Sequence, residues 1–358
     1  MKKIFVLLTL IALAVAFTGC EGPAGEDGAD GADGAAGVAG LDGAAGTDAN
    51  ETCKVCHNAS GDIVGRVNQY NQSGHANGGT AFYGNRSGSC SECHTSEGFI
   101  AFLETGEYAA EPWEYVSQPN CRTCHDIHNT YTVDDWALRV TEPVARLEDP
   151  THTMMDFGAG NICVSCHLSR SVDLPALTST ADYEVTSSRF GPHHGPQGDI
   201  LDGSAGYQVA GTLSYGSTGA HPHSATTDGC VGCHMADGGN YDVGGHTFAV
   251  ETEYHASSGH LNSAPCLVCH TTLDGDGVEA KMEATKAVLD ALIVTLGDSL
   301  VSQGVLTASG SAVSGTYAPK LAGALYNYRM IALEEPGYFV HNPTLAKALL
   351  QNSIEAVQ

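Results

Sequence analysis

Positive charge is scarce in this 358-residue chain. Its 15 lysines and arginines face 41 aspartates and glutamates, for a formal net charge of −26. Such a surface argues against nucleic acid and anionic lipid as partners, and for solubility and basic partners. A plain solvated acidic face gives the same balance. Large side chains are scarce as well. Aromatics make up 7% of the residues and only two are tryptophan, while glycine numbers 44. A side-chain core of ordinary make-up for residues 50–358 would want more. Cysteine outside a single pattern is almost absent. Of 13 cysteines, twelve form C-x-x-C pairs, and no pair lacks a histidine directly after it.

The six copies are CKVCH (53–57), CSECH (90–94), CRTCH (121–125), CVSCH (163–167), CVGCH (230–234) and CLVCH (266–270). One copy alone, such as CRTCHDIH at 121–128, leaves several chemistries open. Zinc takes thiolate and imidazole ligands, but usually draws its second pair from a separate hairpin or helix. A redox dithiol owes its reactivity to thiolate stabilisation and needs no histidine after it. A disulfide framework needs none either. Covalent haem attachment does require it: two thioethers fix the porphyrin, and the adjacent histidine is held under the iron. Six copies without exception select six c-type haems. They are bound through Cys53 and Cys56, Cys90 and Cys93, Cys121 and Cys124, Cys163 and Cys166, Cys230 and Cys233, and Cys266 and Cys269. The proximal iron ligands are then His57, His94, His125, His167, His234 and His270.

The thirteenth cysteine, Cys20, closes a different segment. Residues 1–19 carry two lysines and an apolar run over 4–17, short for a spanning helix and suited to a signal peptide. The run ends in Phe17-Thr18-Gly19-Cys20, which resembles a bacterial lipoprotein box with phenylalanine where leucine is usual. That resemblance implies cleavage before Cys20 and its lipidation; an ordinary secretory signal is the alternative. Both export the chain, and loss of Lys2 and Lys3 leaves 13 basic residues against 41 acidic ones. Glycine then recurs every third residue over 22–48, the collagen period. Only Pro23 supplies an imino acid, and Glu26, Asp27, Asp30, Asp33, Asp42 and Asp48 would repel their copies in a trimer. An extended tether over 20–49, reaching about 80 Å, is favoured over a trimeric stalk.

The motifs occupy 218 residues, roughly 36 for each haem. That density leaves room for short helices and loops, with the porphyrins serving as large apolar bodies. The expected fold is mainly α with low regular secondary structure: a haem domain over 50–276 wrapped around six haems, then a C-terminal helical hairpin over 277–358 packed on it. Within 279–300, Met282, Val288, Leu289, Leu292, Ile293, Leu296 and Leu300 recur at three- and four-residue spacing, an amphipathic helix. Two further helical stretches are expected at 318–333 and 343–357. The second opens on Asn342 as N-cap and Pro343 at the first helical position.

With the six motifs, the phrases GPHHGPQGD (191–199), GGHTF (244–248) and HNP (341–343) and the C-terminal helices, residues 50–358 resemble the multihaem c-type cytochromes of metal-reducing bacteria. Those proteins carry electrons across or outside the outer membrane. The resemblance implies mostly bis-histidine irons and a wire rather than a catalyst. It also implies an exported, lipid-anchored protein at the outer membrane, on its cell-surface or periplasmic face. Its partners would be other c-type cytochromes or redox proteins, metal oxide surfaces or soluble electron shuttles.

Eleven of the 17 histidines remain after the proximal set, enough to supply a second ligand to every iron. By neighbourhood the expected distal ligands are His75, His128, His194, His221, His246 and His341, with His193 and His260 as alternates. His75 and His260 share the tripeptide SGH, His128 lies too near His125 to cap its own iron, and His341 directly precedes a helix cap. Histidine in place of methionine at these positions lowers the potential. Two functions follow from the ligand supply. The first is an electron conduit with every iron six-coordinate. The alternative is a reductase of a small oxyanion or sulfur compound, which needs one iron with an open position.

Overall fold

A computed structural model of the chain describes residues 53–57, 62–145, 154–170, 174–193, 195–226, 228–239, 241–252 and 259–358. The expected signal segment, Cys20 and the glycine-repeat tether lie outside these residues, as do His152, His194 and His255. The architecture is mainly α with little sheet.

In the first half, helices are short and end at local stops. Helix α1 (Asp62–Tyr70) is followed by α2 (Gly88–His94) and α3 (Ser96–Thr105). Thr95 ends α2 and caps α3, its hydroxyl accepting the Gly98 N–H at 2.9 Å, and Gly106 closes α3 at a φ of +71°. Gly98 lets the two helices touch, since a Cβ there would lie 2.4 Å from the Ser91 Cβ. Beyond α3 the chain turns through single helical turns at Cys121–Cys124, Asn161–Val164, Cys230–His234 and Ala264–Leu267. Among the described residues of 53–145, Phe99 is the one buried hydrophobic side chain.

The C-terminal third is built differently. Helix α4 (Gly275–Ser302) begins at Asp274, whose carboxylate accepts the Gly277 N–H at 2.9 Å. Helix α5 (Pro319–Arg329) runs on into a π-helical turn at Met330–Glu334, and α6 (Pro343–Val357) follows. Asn342 caps α6, its Oδ1 accepting the Leu345 N–H at 3.0 Å. The apolar stripe of α4 is buried through Leu289, Leu296 and Leu300, against Leu325, Tyr326 and Met330 of the α5 segment and Leu345, Leu349 and Leu350 of α6.

The interval between the fourth and fifth motifs joins this core. Val185, Phe190, Ile200, Tyr207 and Val209 pack into it. Strand β1 (Tyr183–Val185) pairs antiparallel with the last strand, β4 (Gly315–Tyr317), with Glu184 opposite Thr316. The other two strands, β2 (Glu251–Thr252) and β3 (His260–Leu261), pair with each other. Two buried asparagines bind the interval to the helices as a neighbouring strand would. Asn327 accepts from the Tyr207 N–H at 2.7 Å and donates to its carbonyl at 2.8 Å, and Asn352 does the same for Leu213 at 3.0 and 2.9 Å. No helix among the described residues is long and apolar enough to cross a membrane.

Candidate haem centres

Each C-x-x-C-H motif is one turn of helix. The histidine N–H bonds to the carbonyl of the first cysteine in four of them, at 2.8 Å for His57 and His270 and 2.9 Å for His125 and His167. His94 and His234 sit in the last turns of regular helices that contain their cysteines. Residues three and four apart share a helix face, so both thiols and the imidazole of each motif point the same way. Local caps fix the turn. At the third motif Asn120 accepts from the Arg122 N–H at 3.0 Å while its own N–H donates to Thr123 Oγ1 at 2.8 Å.

Each motif histidine faces one further histidine. Ring centroids lie 6.4 Å apart for His57 and His128, 6.1 Å for His167 and His75, and 6.3 Å for His94 and His193. They lie 6.3 Å apart for His125 and His246, 6.1 Å for His234 and His341, and 6.3 Å for His270 and His223. A metal–imidazole bond is about 2 Å and the ring nitrogen about 1 Å from the centroid, so two imidazoles on opposite sides of one iron stand about 6 Å apart. No residue recurs among the six pairs.

Where the ring nitrogens are anchored, the anchor takes Nδ1 and leaves Nε2 for a metal. The Nδ1–H of His125 donates to the Trp136 carbonyl at 2.7 Å, that of His234 to the Phe248 carbonyl at 2.9 Å, and that of His223 to the Val340 carbonyl at 2.6 Å. His167 bonds Gln197 Oε1 at 3.2 Å, and the Gln197 amide nitrogen donates to the Glu334 carbonyl at 3.1 Å, which fixes its orientation. Such supports set tautomer and ring direction in metal sites. Burial, helped by the facing His167, pushes His75 down to about 4; burial, then His125 and Arg66, does the same for His246. Both are therefore neutral at pH 7, the form that ligates. His341 is the exception: burial lowers its pKa, but the bond to Glu335 and that residue's charge outweigh burial and raise it.

The loops that carry the facing histidines are built for the purpose. Ser73 caps the helical turn Gly74–Asn77 and so aims His75. His128 stands at a φ of +63° in a loop gathered on Asp135, whose carboxylate accepts from the N–H groups of His128 at 2.8 Å, Thr130 at 2.6 Å and Tyr131 at 3.1 Å. The Thr130 hydroxyl, donating to the same carboxylate at 2.6 Å, and then these N–H groups hold the Asp135 carboxyl below the usual carboxylate range.

Two of the expected distal positions, His221 and the alternate His260, require correction. The residue facing His94 is His193, the expected alternate, at a left-handed φ of +66°; His194 lies outside the described residues. The residue facing His270 is His223, which the sequence reading passed over. His221 caps the turn Pro222–Ala225, its Nδ1 accepting the His223 N–H at 3.3 Å, so its ring turns onto that turn. His260 bonds Asp242 at 2.8 Å on the surface and meets no motif histidine. The signal for His223 was its place one residue inside a proline-started turn.

The motifs also touch one another. The Cys93 thiol and burial push Cys166 up, the Cys163 thiol and burial push Cys230 up, and burial followed by the Cys266 thiol pushes Cys233 up. Among the described residues none of the twelve motif cysteines is paired in a disulfide, and no group of three or more His, Cys, Asp or Glu converges on a metal position of its own. Thiol pairs on helical turns, each with a motif imidazole facing a second imidazole at 6.1–6.4 Å between ring centroids, fit haem c.

Comparison with known proteins agrees. No family model matches the chain. It is 24% identical over 361 residues to the C-type polyheme cytochrome OmcB of Geobacter sulfurreducens, covering 86% of this chain and 44% of OmcB. It is 24% identical over 339 residues to the C-type polyheme cytochrome OmcC of the same species, covering 75% and 43%. Its fold matches the crystal structure of the outer cell wall cytochrome OcwA with a TM-score of 0.51 at 18% identity, over 82% of this chain and 50% of that one. The chain is thus similar to multihaem c-type cytochromes in sequence and in fold. It spans about half the length of the curated relatives it matches.

Proposed function

We propose that this cytochrome is an electron conduit of six haems, each with two histidine ligands. The pairs are His57 with His128, His94 with His193, His125 with His246, His167 with His75, His234 with His341, and His270 with His223. The observation that carries this reading is the one-to-one facing of motif and non-motif histidines at 6.1–6.4 Å. With both axial positions supplied, no iron is left open for a small substrate, which favours a wire over a reductase. The haems supply one-electron redox chemistry; the chain's part is to fix their ligands and exclude competing ones.

The thiol contacts support a connected path running from the second motif through the fourth and fifth to the sixth. Because His128 lies three residues from His125, the first and third centres are neighbours too. Export, lipidation at Cys20 and attachment at the outer membrane are supported by the leader sequence, and export also by the likeness to OcwA, an outer cell wall cytochrome. Other c-type cytochromes are the partners that the relatives' descriptions support; the acidic surface suits basic ones, with metal oxides and soluble shuttles as further acceptors.

Mixing the oxidised holoprotein with cyanide tests the reading. A conduit with closed irons keeps its spectrum on the mixing timescale and titrates as six one-electron centres. Rapid cyanide binding at one iron in the native protein would contradict it.

A further inference from the structure

We propose that the buried carboxylate of Glu335 lowers the reduction potential of the haem at the fifth motif by drawing on the Nδ1–H of His341. The inference rests on His341 being that haem's second ligand and adds what tunes it. Wherever a Nδ1 partner is seen at the other facing histidines, it is neutral: the carbonyls of Trp136, Phe248 and Val340 and the side-chain amide of Gln197. At His341 it is a carboxylate oxygen at 2.6 Å. A charged acceptor makes the stronger hydrogen bond and gives the imidazole partial imidazolate character. A more electron-rich ligand stabilises ferric over ferrous iron.

Three features make this a built arrangement. Glu335 is 1% exposed, so water does not screen its charge. Its Oε2 has no hydrogen-bond partner among the described residues, so none of them draws the charge away from His341. The segment between the two residues is a tight turn in which the N–H groups of Val340 and His341 both bond the Gly337 carbonyl at 2.8 Å. A Cβ on Gly337 would lie 2.5 Å from His341 Cε1 and 3.0 Å from Glu335 Oε1, so only glycine leaves the pair in contact. The π-helical turn at Met330–Glu334 delivers Glu335 to this spot, and the Asn342 cap fixes the other end. Asp242 on His260 is chemically alike, but it serves a half-exposed ring that faces no motif.

The test uses the full-length holoprotein and Glu335→Gln, which keeps an acceptor for Nδ1–H and removes the charge. Spectropotentiometric titration should show one midpoint shifted upward and the other five unmoved, with the low-spin signal count unchanged by electron paramagnetic resonance. His341→Ala identifies the centre: the low-spin signal it abolishes should belong to the haem whose midpoint moved. If His341→Ala costs a low-spin iron while Glu335→Gln moves no midpoint, the tuning role is wrong and the ligand reading stands. Loss of a low-spin iron in Glu335→Gln would also overturn it, because the residue would then only position the ring. If His341→Ala leaves every low-spin signal in place, the ligand reading fails and the tuning role with it.

Discussion

The two ends of the described chain solve the problem of a core in opposite ways. Residues 53–145 hold three of the six motifs and bury Phe99 alone among their described hydrophobic side chains. Residues 275–358 hold no motif and bury Leu289, Leu296, Leu300, Leu325, Leu345 and Leu349 in one continuous cluster. In the first region the side chains that converge are thiols and imidazoles, and on the proposed reading the porphyrins held there supply the missing apolar body. The second region is a helical core of packed aliphatic and aromatic side chains. A cytochrome can therefore be short of aromatics and still be stable, provided its cofactor occupies the space that Phe and Trp fill elsewhere.

The sharpest way to break this contrast is to withhold haem. In protein produced without haem attachment, amide exchange over 53–145 should reach the unprotected limit, while α4, α5 and α6 retain protection. Equal loss of protection at both ends would mean that the C-terminal core also depends on the cofactor.

Next in size are cavities in the conventional core. Leu349→Ala should cost about 3 kcal/mol in denaturant unfolding followed through the helices, yet leave all midpoint potentials where they were. Asn327→Ala should cost about 2 kcal/mol, because the Tyr207 N–H and carbonyl lose their partner. A smaller change in stability is expected from Asp135→Ala, but a local electronic one. Without its carboxylate the loop that holds His128 at positive φ loses its anchor, and one low-spin centre, that of the first motif, should turn high-spin or shift.

The subtlest expectation concerns ring planes. The facing imidazoles are near-perpendicular at 90° for His94 and His193 and 79° for His270 and His223, but only 32° apart for His57 and His128 and 38° for His125 and His246. Low-spin ferric signals of large anisotropy should therefore appear beside ordinary rhombic ones. A spectrum of one type alone would contradict the ring geometry.

How much of this was legible beforehand varied with the range of the interaction. The motifs are local, five residues each, and a helical turn suffices to align them. The helix expected over 279–300 announced itself through apolar spacing, and that over 343–357 through apolar spacing and a capped start. Distal ligands are long-range, and neighbourhood alone served them unevenly. SGH at 73–75 opens a helical turn that aims His75, whereas in the second copy His260 lies in a strand and bonds Asp242. The choices between His193 and His194, and between His221 and His223, depend on backbone φ and on which ring caps a turn, neither of which a list of residues carries. The interval over 168–229 contributed only its histidine phrases to the sequence reading. Its apolar residues follow no helical or strand period, so their place in the C-terminal core was not visible.

The central claim is that six irons each sit between two histidines. Quantitative electron paramagnetic resonance of the fully oxidised holoprotein, with its mass and haem content measured on the same sample, tests that claim most directly. The account predicts six covalent haems and six low-spin ferric centres with no high-spin component near native pH. A haem count below six, or a stoichiometric high-spin signal from an iron with an open position, would contradict it.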